Sequence, residues 1–379
     1  MNVIAMSKKM EEYFANLDKE VNHSYEIANK AKKNSFDPDS FVDIPLAQNM
    51  MERVVGLISI IAPQIREKGV EQRIQDLEKQ YGRLDWRVAL TVSLEIAQEK
   101  FCKFKDKKEA MEIGIRTGLA YITLGVVVSP LEGFSRLELK KRKDGKEYFA
   151  LFYAGPIRSA GGTAASVSVI VADYIRLKMG YEVYDATKEE ISRSVSEVKD
   201  YHERVTNLQY LPSDEEVTFL ASKIPVQITG DASEKFEVSN YKDLDRIETN
   251  FLRNGFCLVF AECFAQKAKK VTAQLLKWGK DFFADEWNFL DEFLKIQLKN
   301  KAQEKTDVNV LIKPDYTFIK DLVAGRPVFT HPLAKGGFRL RYGRRRNTGL
   351  SGQAIHPSTM YVLNQFIAIG TQLKVERPG

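Results

Sequence analysis

No stretch of this 379-residue chain reads as a membrane span. Val126-Val127-Val128 and its neighbours make only a short apolar patch, where a span needs about 20 residues. The first residues, with Lys8, Lys9, Glu11 and Glu12, lack the apolar centre of a secretory leader. Cysteine is scarce: Cys102, Cys257 and Cys263 are odd in number and form no Cys-x-x-Cys pair, so neither a disulfide framework nor a zinc site is indicated. The expected location is cytoplasmic, with no membrane partner. The most telling absence is acid. Residues 322–375 hold no Asp or Glu, yet carry Arg326, Lys335, Arg339, Arg341, Arg344, Arg345, Arg346 and Lys374. The whole chain has a net charge of only +6, so everything before this stretch is slightly acidic. A field so concentrated attracts a polyanion, and nucleic-acid backbones are the commonest that proteins meet.

Within that stretch, Phe338, Leu340 and Tyr342 alternate with Arg339 and Arg341. A period of two predicts a strand with one apolar and one guanidinium face. Gly336, Gly337 and Gly343 flank it and allow tight turns or close approach to a ligand. Arginine suits planar, bidentate phosphate contact. The competing reading is a solvated basic edge strand that resists edge-to-edge pairing. His331 and His356 also fall here, with no Asp, Glu or Cys to complete a metal cluster.

The length predicts two or three domains, and 44% hydrophobic residues suffice for real cores. Residues 1–133 read as helices forming a packing or docking module. Met10, Tyr13, Phe14, Leu17 and Val21 lie on one helical face, a break is expected from Asp37-Pro38-Asp39 to Pro45, and helices are expected at 88–101 and 110–124, the second stopped at Ser129-Pro130. Residues 134–277 read as a small α/β domain. Asp144-Gly145 signals a two-residue hairpin between strands 137–142 and 147–153. A glycine-rich turn, Gly155-Pro156-Ile157-Arg158-Ser159-Ala160-Gly161-Gly162, then leads into a helix. Such a turn can cradle phosphate or simply let helix and strand pack, and Arg158 and Ser159 are the residues to test. Thr187 and Ser213 open capping boxes, and short strands are expected at 225–229 and 256–260. His202 sits at a core spacing, and Glu248 and Glu262 stand alone, unpaired for acid–base work. Residues 278–312 read as the end of one long amphipathic helix from Ala265 to Leu298, followed by a polar linker from Lys299. Residues 313–379 form the basic module.

Several strings together resemble the large subunit of the archaeal D-family DNA polymerase. They are Phe152-Tyr153-Ala154-Gly155-Pro156-Ile157-Arg158-Ser159-Ala160-Gly161-Gly162-Thr163, Tyr201-His202 to Leu208-Gln209-Tyr210, Pro225 to Gly230, and Glu248-Thr249-Asn250 with Leu252-Arg253. Lys335 to Arg344 and Ala368-Ile369-Gly370-Thr371-Gln372 to Glu376-Arg377-Pro378-Gly379 complete the set, in the family's order. The resemblance implies a replicative, template-directed polymerase acting on DNA primer–template. Its partner would be a small subunit carrying a 3′–5′ exonuclease. The implied fold is α+β and multidomain: a helical N-terminal module, a KH-like domain over 134–277, and the start of a β-rich core of double-psi barrel type. Mg²⁺ in the complete enzyme and zinc in its C-terminal part are implied as well.

The chain departs from that family in length, since large subunits are about three times as long and their catalytic aspartates and zinc modules lie beyond residue 379. No catalytic or metal-binding residue is therefore expected here, because two-metal chemistry needs carboxylates. A separate chain would have to carry the C-terminal half if the subunit is split. Arg344-Arg345-Arg346 is a second departure, a longer basic run than the family usually shows. The residues expected to hold DNA are Lys335, Arg339, Arg341, Arg344, Arg345, Arg346, Arg326 and Arg158. A stand-alone KH-type RNA- or DNA-binding module and a non-catalytic assembly scaffold remain as alternatives. Preference for single strands or 2′-OH contacts would mark the former, and absence of salt-dependent binding the latter.

Overall fold

The computed structural model describes residues 7–36, 47, 49–306, 343–345 and 349–351. The described residues are mixed α+β and mostly helical, with a three-stranded sheet and a separate pair of short strands. Helix α1 (Lys8–Lys33) starts on Ser7, whose side chain accepts from the Met10 N–H. Met10, Tyr13, Phe14, Leu17 and Val21 are all exposed, and α1 buries none of its residues. The break expected from Asp37 to Pro45 falls almost wholly outside the described residues.

Helices α2 (Met50–Ile58), α3 (Val70–Tyr81), α4 (Trp86–Ala97) and α5 (Lys107–Ile122) form the helical part of the core. Asn49, Asp85 and Asp106 cap three of them by accepting first-turn N–H groups. Helix α5 ends well before Ser129-Pro130, because Leu124 and Gly125 take positive φ and the Gly125 N–H closes back on Ala120 O.

Strands β1 (Phe134–Lys141) and β2 (Glu147–Tyr153) pair antiparallel, with Lys141 opposite Glu147. Their turn differs from the two-residue form expected at Asp144-Gly145. Arg142 N–H donates to Lys146 O and Gly145 N–H to Arg142 O, so Lys143, Asp144 and Gly145 make a three-residue loop. Gly145, at φ +82°, takes the left-handed position that such a loop requires. From β2 the chain enters a 3₁₀ turn, Gly155–Ala160, and then α6 (Gly162–Met179). Helices α7 (Lys188–Arg204) and α8 (Asp214–Lys223) follow, each started by a predicted cap, Thr187 and Ser213. Strand β3 (Gln227–Thr229) then adds parallel to β2, making β2 the central strand.

All of β2 except Glu147 is buried, because both sheet faces are covered. Phe149, Leu151 and Tyr153 join the main core, while Tyr148, Ala150 and Phe152 point the other way. On that second face Tyr184 stacks on Tyr148 at 5.1 Å, and the Arg136 guanidinium lies 3.7 Å from the Phe152 ring centre.

The strand expected at 256–260 is instead helical. Helix α9 (Asn254–Cys257) runs into a π-type segment, Leu258–Ala265, and then α10 (Gln266–Phe283). Every residue of Leu258–Ala265 is buried, so the apolar run carries no period by which to tell helix from strand. The single long helix expected from Ala265 to Leu298 breaks after Phe283, where Ala284 turns to φ +52°. The break puts Trp287 Nε1 2.9 Å from Asp173 Oδ2, inside α6. Burial pushes the Asp173 carboxyl up to about 6, against the pull of Arg176. Helix α11 (Phe289–Thr306) then covers Lys299 to Thr306, which had read as linker. Gln297 and Asn300 anchor it through Tyr210, Ala265 O and Ser213.

One hydrophobic cluster runs from Val54 to Phe293, so residues on both sides of position 133 share a core. Beyond Thr306 two short strands are described, β4 (Gly343–Arg345) and β5 (Gly349–Ser351), which pair antiparallel.

Candidate nucleic-acid interface

Of the eight residues expected to hold DNA, Arg326, Lys335, Arg339, Arg341 and Arg346 lie outside the described residues, as do His331 and His356. So does the alternating strand expected from Phe338 to Tyr342. Arg344 and Arg345 fall in β4, with Arg344 opposite Leu350 and Arg345 opposite Gly349.

Arg158 is described in full. It sits in the 3₁₀ turn and closes on Glu262, Nη2 to Oε1 at 2.7 Å and Nε to Oε2 at 3.2 Å. Glu262 is buried and also accepts the Gln209 N–H at 2.9 Å. The hydrogen bonds to Glu262 hold Arg158 above its ordinary pKa. Thus Glu262, which stood alone in the sequence, anchors the 3₁₀ turn to the π-type segment before α10 and to the 206–212 connection. Its partner is 104 positions away, a distance no local pattern spans.

The turn also presents the start of α6. Gly161 caps that helix at φ +76° with no side-chain hydrogen bond to the first turn. The stem of Lys267 lies over Gly162, where an added Cβ would stand 2.9 Å from Lys267 Cε. Free first-turn N–H groups between two cationic side chains can receive a phosphate oxygen. Arg158 would approach that oxygen only by sharing its guanidinium with Glu262. We expect Arg158→Met to lower stability by about 1–2 kcal/mol, because a buried carboxylate loses its charged partner at a half-exposed site. Urea titration reads this. Unchanged stability with about tenfold weaker DNA binding would make Arg158 a DNA contact and not a brace.

The other resemblance segments are structural where described. His202 Nδ1 accepts the Leu208 N–H at 3.0 Å, the packing role its spacing predicts. Glu248 pairs with Lys140 at 2.6 Å. Burial nevertheless holds Lys140 below the ordinary lysine range. Arg253 is buried against Glu197 and Thr229. A partly open pocket lined by Glu190, Gln227, Ile247 and Arg253 measures about 30 Å³, enough for a water and far too small for a nucleotide. Among the described residues no three His, Cys, Asp or Glu side chains converge as metal ligands, and no helix is long and apolar enough to cross a membrane.

Comparison with known proteins agrees with the resemblance. The family model described as DNA polymerase II large subunit DP2, N-terminal, matches residues 12–296, and that of its central domain matches residues 302–379. The DNA polymerase II large subunit of Nanoarchaeum equitans is 47% identical over 97% of this chain and 32% of its own length. That of Methanothermobacter thermautotrophicus is 44% identical over 98% of this chain and 32% of its own, and that of Methanosarcina barkeri 44% over 98% and 31%. The chain thus spans about a third of the length of these relatives. It belongs to the DNA polymerase II large subunit family, and matches that family's N-terminal and central domains.

Proposed function

We propose that this chain serves a template-directed DNA polymerase as the N-terminal part of its large subunit, holding the DNA backbone and supporting assembly with a small exonuclease subunit. The observation that carries the reading is the acid-free segment 322–375, with eight basic residues, in a chain whose relatives are polymerase large subunits. The region 134–277 keeps the KH-like reading as part of this proposal, but it contains no Gly-x-x-Gly, the loop with which KH domains clamp nucleotides. Backbone contact by arginine is therefore the better-supported mode.

Neither Mg²⁺ nor zinc is assigned to residues of this chain. The basic segment has no carboxylate, and no metal-binding cluster occurs among the described residues. No step of nucleotide addition is assigned to this chain, which alone should bind primer–template without extending it.

Phosphate contacts position a protein and do not read sequence. Each one should add roughly −0.7 to −0.9 to the slope of log K against log salt. Replacing Arg339 and Arg341 by alanine should then flatten the slope by about 1.4–1.8 and weaken binding to all sequences alike. Unchanged affinity and slope in this double variant would mean that the segment is a solvated edge, and the proposal fails.

A further inference from the structure

Helix α10 carries five lysines, Lys267, Lys269, Lys270, Lys277 and Lys280, and one acid, Asp281. Its apolar side, Ala268, Val271, Leu275 and Trp278 among others, is buried. At 3.6 residues per turn, Lys269, Lys270, Lys277 and Lys280 fall within about 100° of the opposite side, along roughly 16 Å of helix. All four are exposed. None forms an ion pair or side-chain hydrogen bond among the described residues. Some lysines elsewhere do, such as Lys108 with Glu138, Lys146 with Glu182 and Lys199 with Asp214; what sets α10 apart is four exposed lysines on one face.

Two acids near this face, Asp85 and Glu262, are already engaged. Asp85, which feels Lys277, is held by both Nε and Nη2 of Arg87. Asp281 lies on the edge of the arc and acts on Arg87 as well. Glu262, at the other end, is taken by Arg158. A surface that were only solvated would mix signs across the face. This one leaves a row of positive charge that continues, through Lys267, to the open start of α6.

We infer that the exposed face of α10 is a second track for a DNA phosphate backbone, separate from the arginine segment. The inference rests on the reading that the chain holds DNA. Duplex DNA fits because a strand presents a phosphate about every 3.4 Å along its axis, so a row of this length meets several at once. Point-charge ammonium groups on flexible stems suit contact without fixed register. The track was not singled out in the sequence, because its lysines are interrupted by apolar residues and show as one sign only once wound onto a helix.

The test is duplex binding across a salt series by the whole chain and three variants: Lys269, Lys270, Lys277 and Lys280 all to Gln, Arg339 and Arg341 to Ala, and both sets together. The lysine set should flatten the salt slope by about 2–3, in the wild-type background and in the arginine background alike. An unchanged slope in both backgrounds overturns the track, whatever the arginine pair does. An effect of the lysines with none from the arginines supports the track and sinks the proposal for the arginine segment. Changing the same four lysines to Arg should preserve binding, and loss there would show a packing effect and reject the inference. Polyglutamate that competes as well as duplex at matched charge would also reject it, since the face would then suit any polyanion.

Discussion

Replacing Glu197 by alanine should cost about 3–5 kcal/mol and leave the domain close to unfolded. Glu197 is fully buried on α7. Its Oε1 accepts the Arg253 backbone N–H at 2.9 Å and Arg253 Nε at 3.0 Å, while Oε2 accepts Arg253 Nη2 at 2.6 Å and Arg193 Nε at 3.1 Å. Arg253 reaches on to Thr229 Oγ1 in β3, and Arg193 to the carbonyls of Tyr241 and Thr249. One carboxylate thus bridges two buried guanidinium groups, offsetting one of their two charges, and the triad ties α7, β3 and the long 230–253 connection together. Without it, both cations stay buried with only neutral acceptors. The cost comes from those stranded charges more than from the lost pair. Arg193→Met, Glu197→Leu and Arg253→Met combined should therefore be less damaging than Glu197→Ala alone. Urea midpoints of wild type, the single variant and the triple variant check this. A single variant that loses under 1 kcal/mol, or a triple variant that is worse, would refute the argument.

That network shows where sequence reasoning stopped. Local chemistry was readable: the cap at Thr187 has its reciprocal Glu190 contact, and the strands around Asp144-Gly145 pair as expected. Elements whose form depends on distant partners were not readable. Residues 258–265 are buried on all sides and show no period, so a helix there looked like a strand. The break after Phe283 is coupled to a Trp287–Asp173 bond across 114 positions, which no window of sequence contains. The candidate interface divides the same way. Composition alone located the acid-free segment, because charge imbalance survives without geometry. The partner of Arg158 and the lysine face of α10 needed the fold, since both depend on which residues the chain brings side by side.

Gly255→Ala should be the most damaging single methyl addition in the described chain. An alanine Cβ at Gly255 would stand 1.9 Å from Tyr153 O, 2.2 Å from Tyr153 C and 2.7 Å from Ala154 N. These are backbone atoms at the end of the central strand, which cannot turn aside as a side chain would. A Cβ added at Gly230, just beyond β3, would stand 2.6 Å from the same carbonyl oxygen, so two chain segments converge there. An alanine at 255 must lift the start of α9 by more than an ångström. Arg253 lies two residues earlier and would be drawn off Glu197, so strain and stranded charge would add. Overpacking usually costs about 1–3 kcal/mol, and this site should exceed that range. Gly69→Ala gives the contrast. Gly69 has φ +83° with nothing within 4 Å of an added Cβ, so only the left-handed backbone penalty of about 1–2 kcal/mol applies. Thermal and urea unfolding of the two variants should separate them clearly. If Gly255→Ala proves no worse than Gly69→Ala, the close approach of α9 to the Tyr153 carbonyl is not a constraint on this fold.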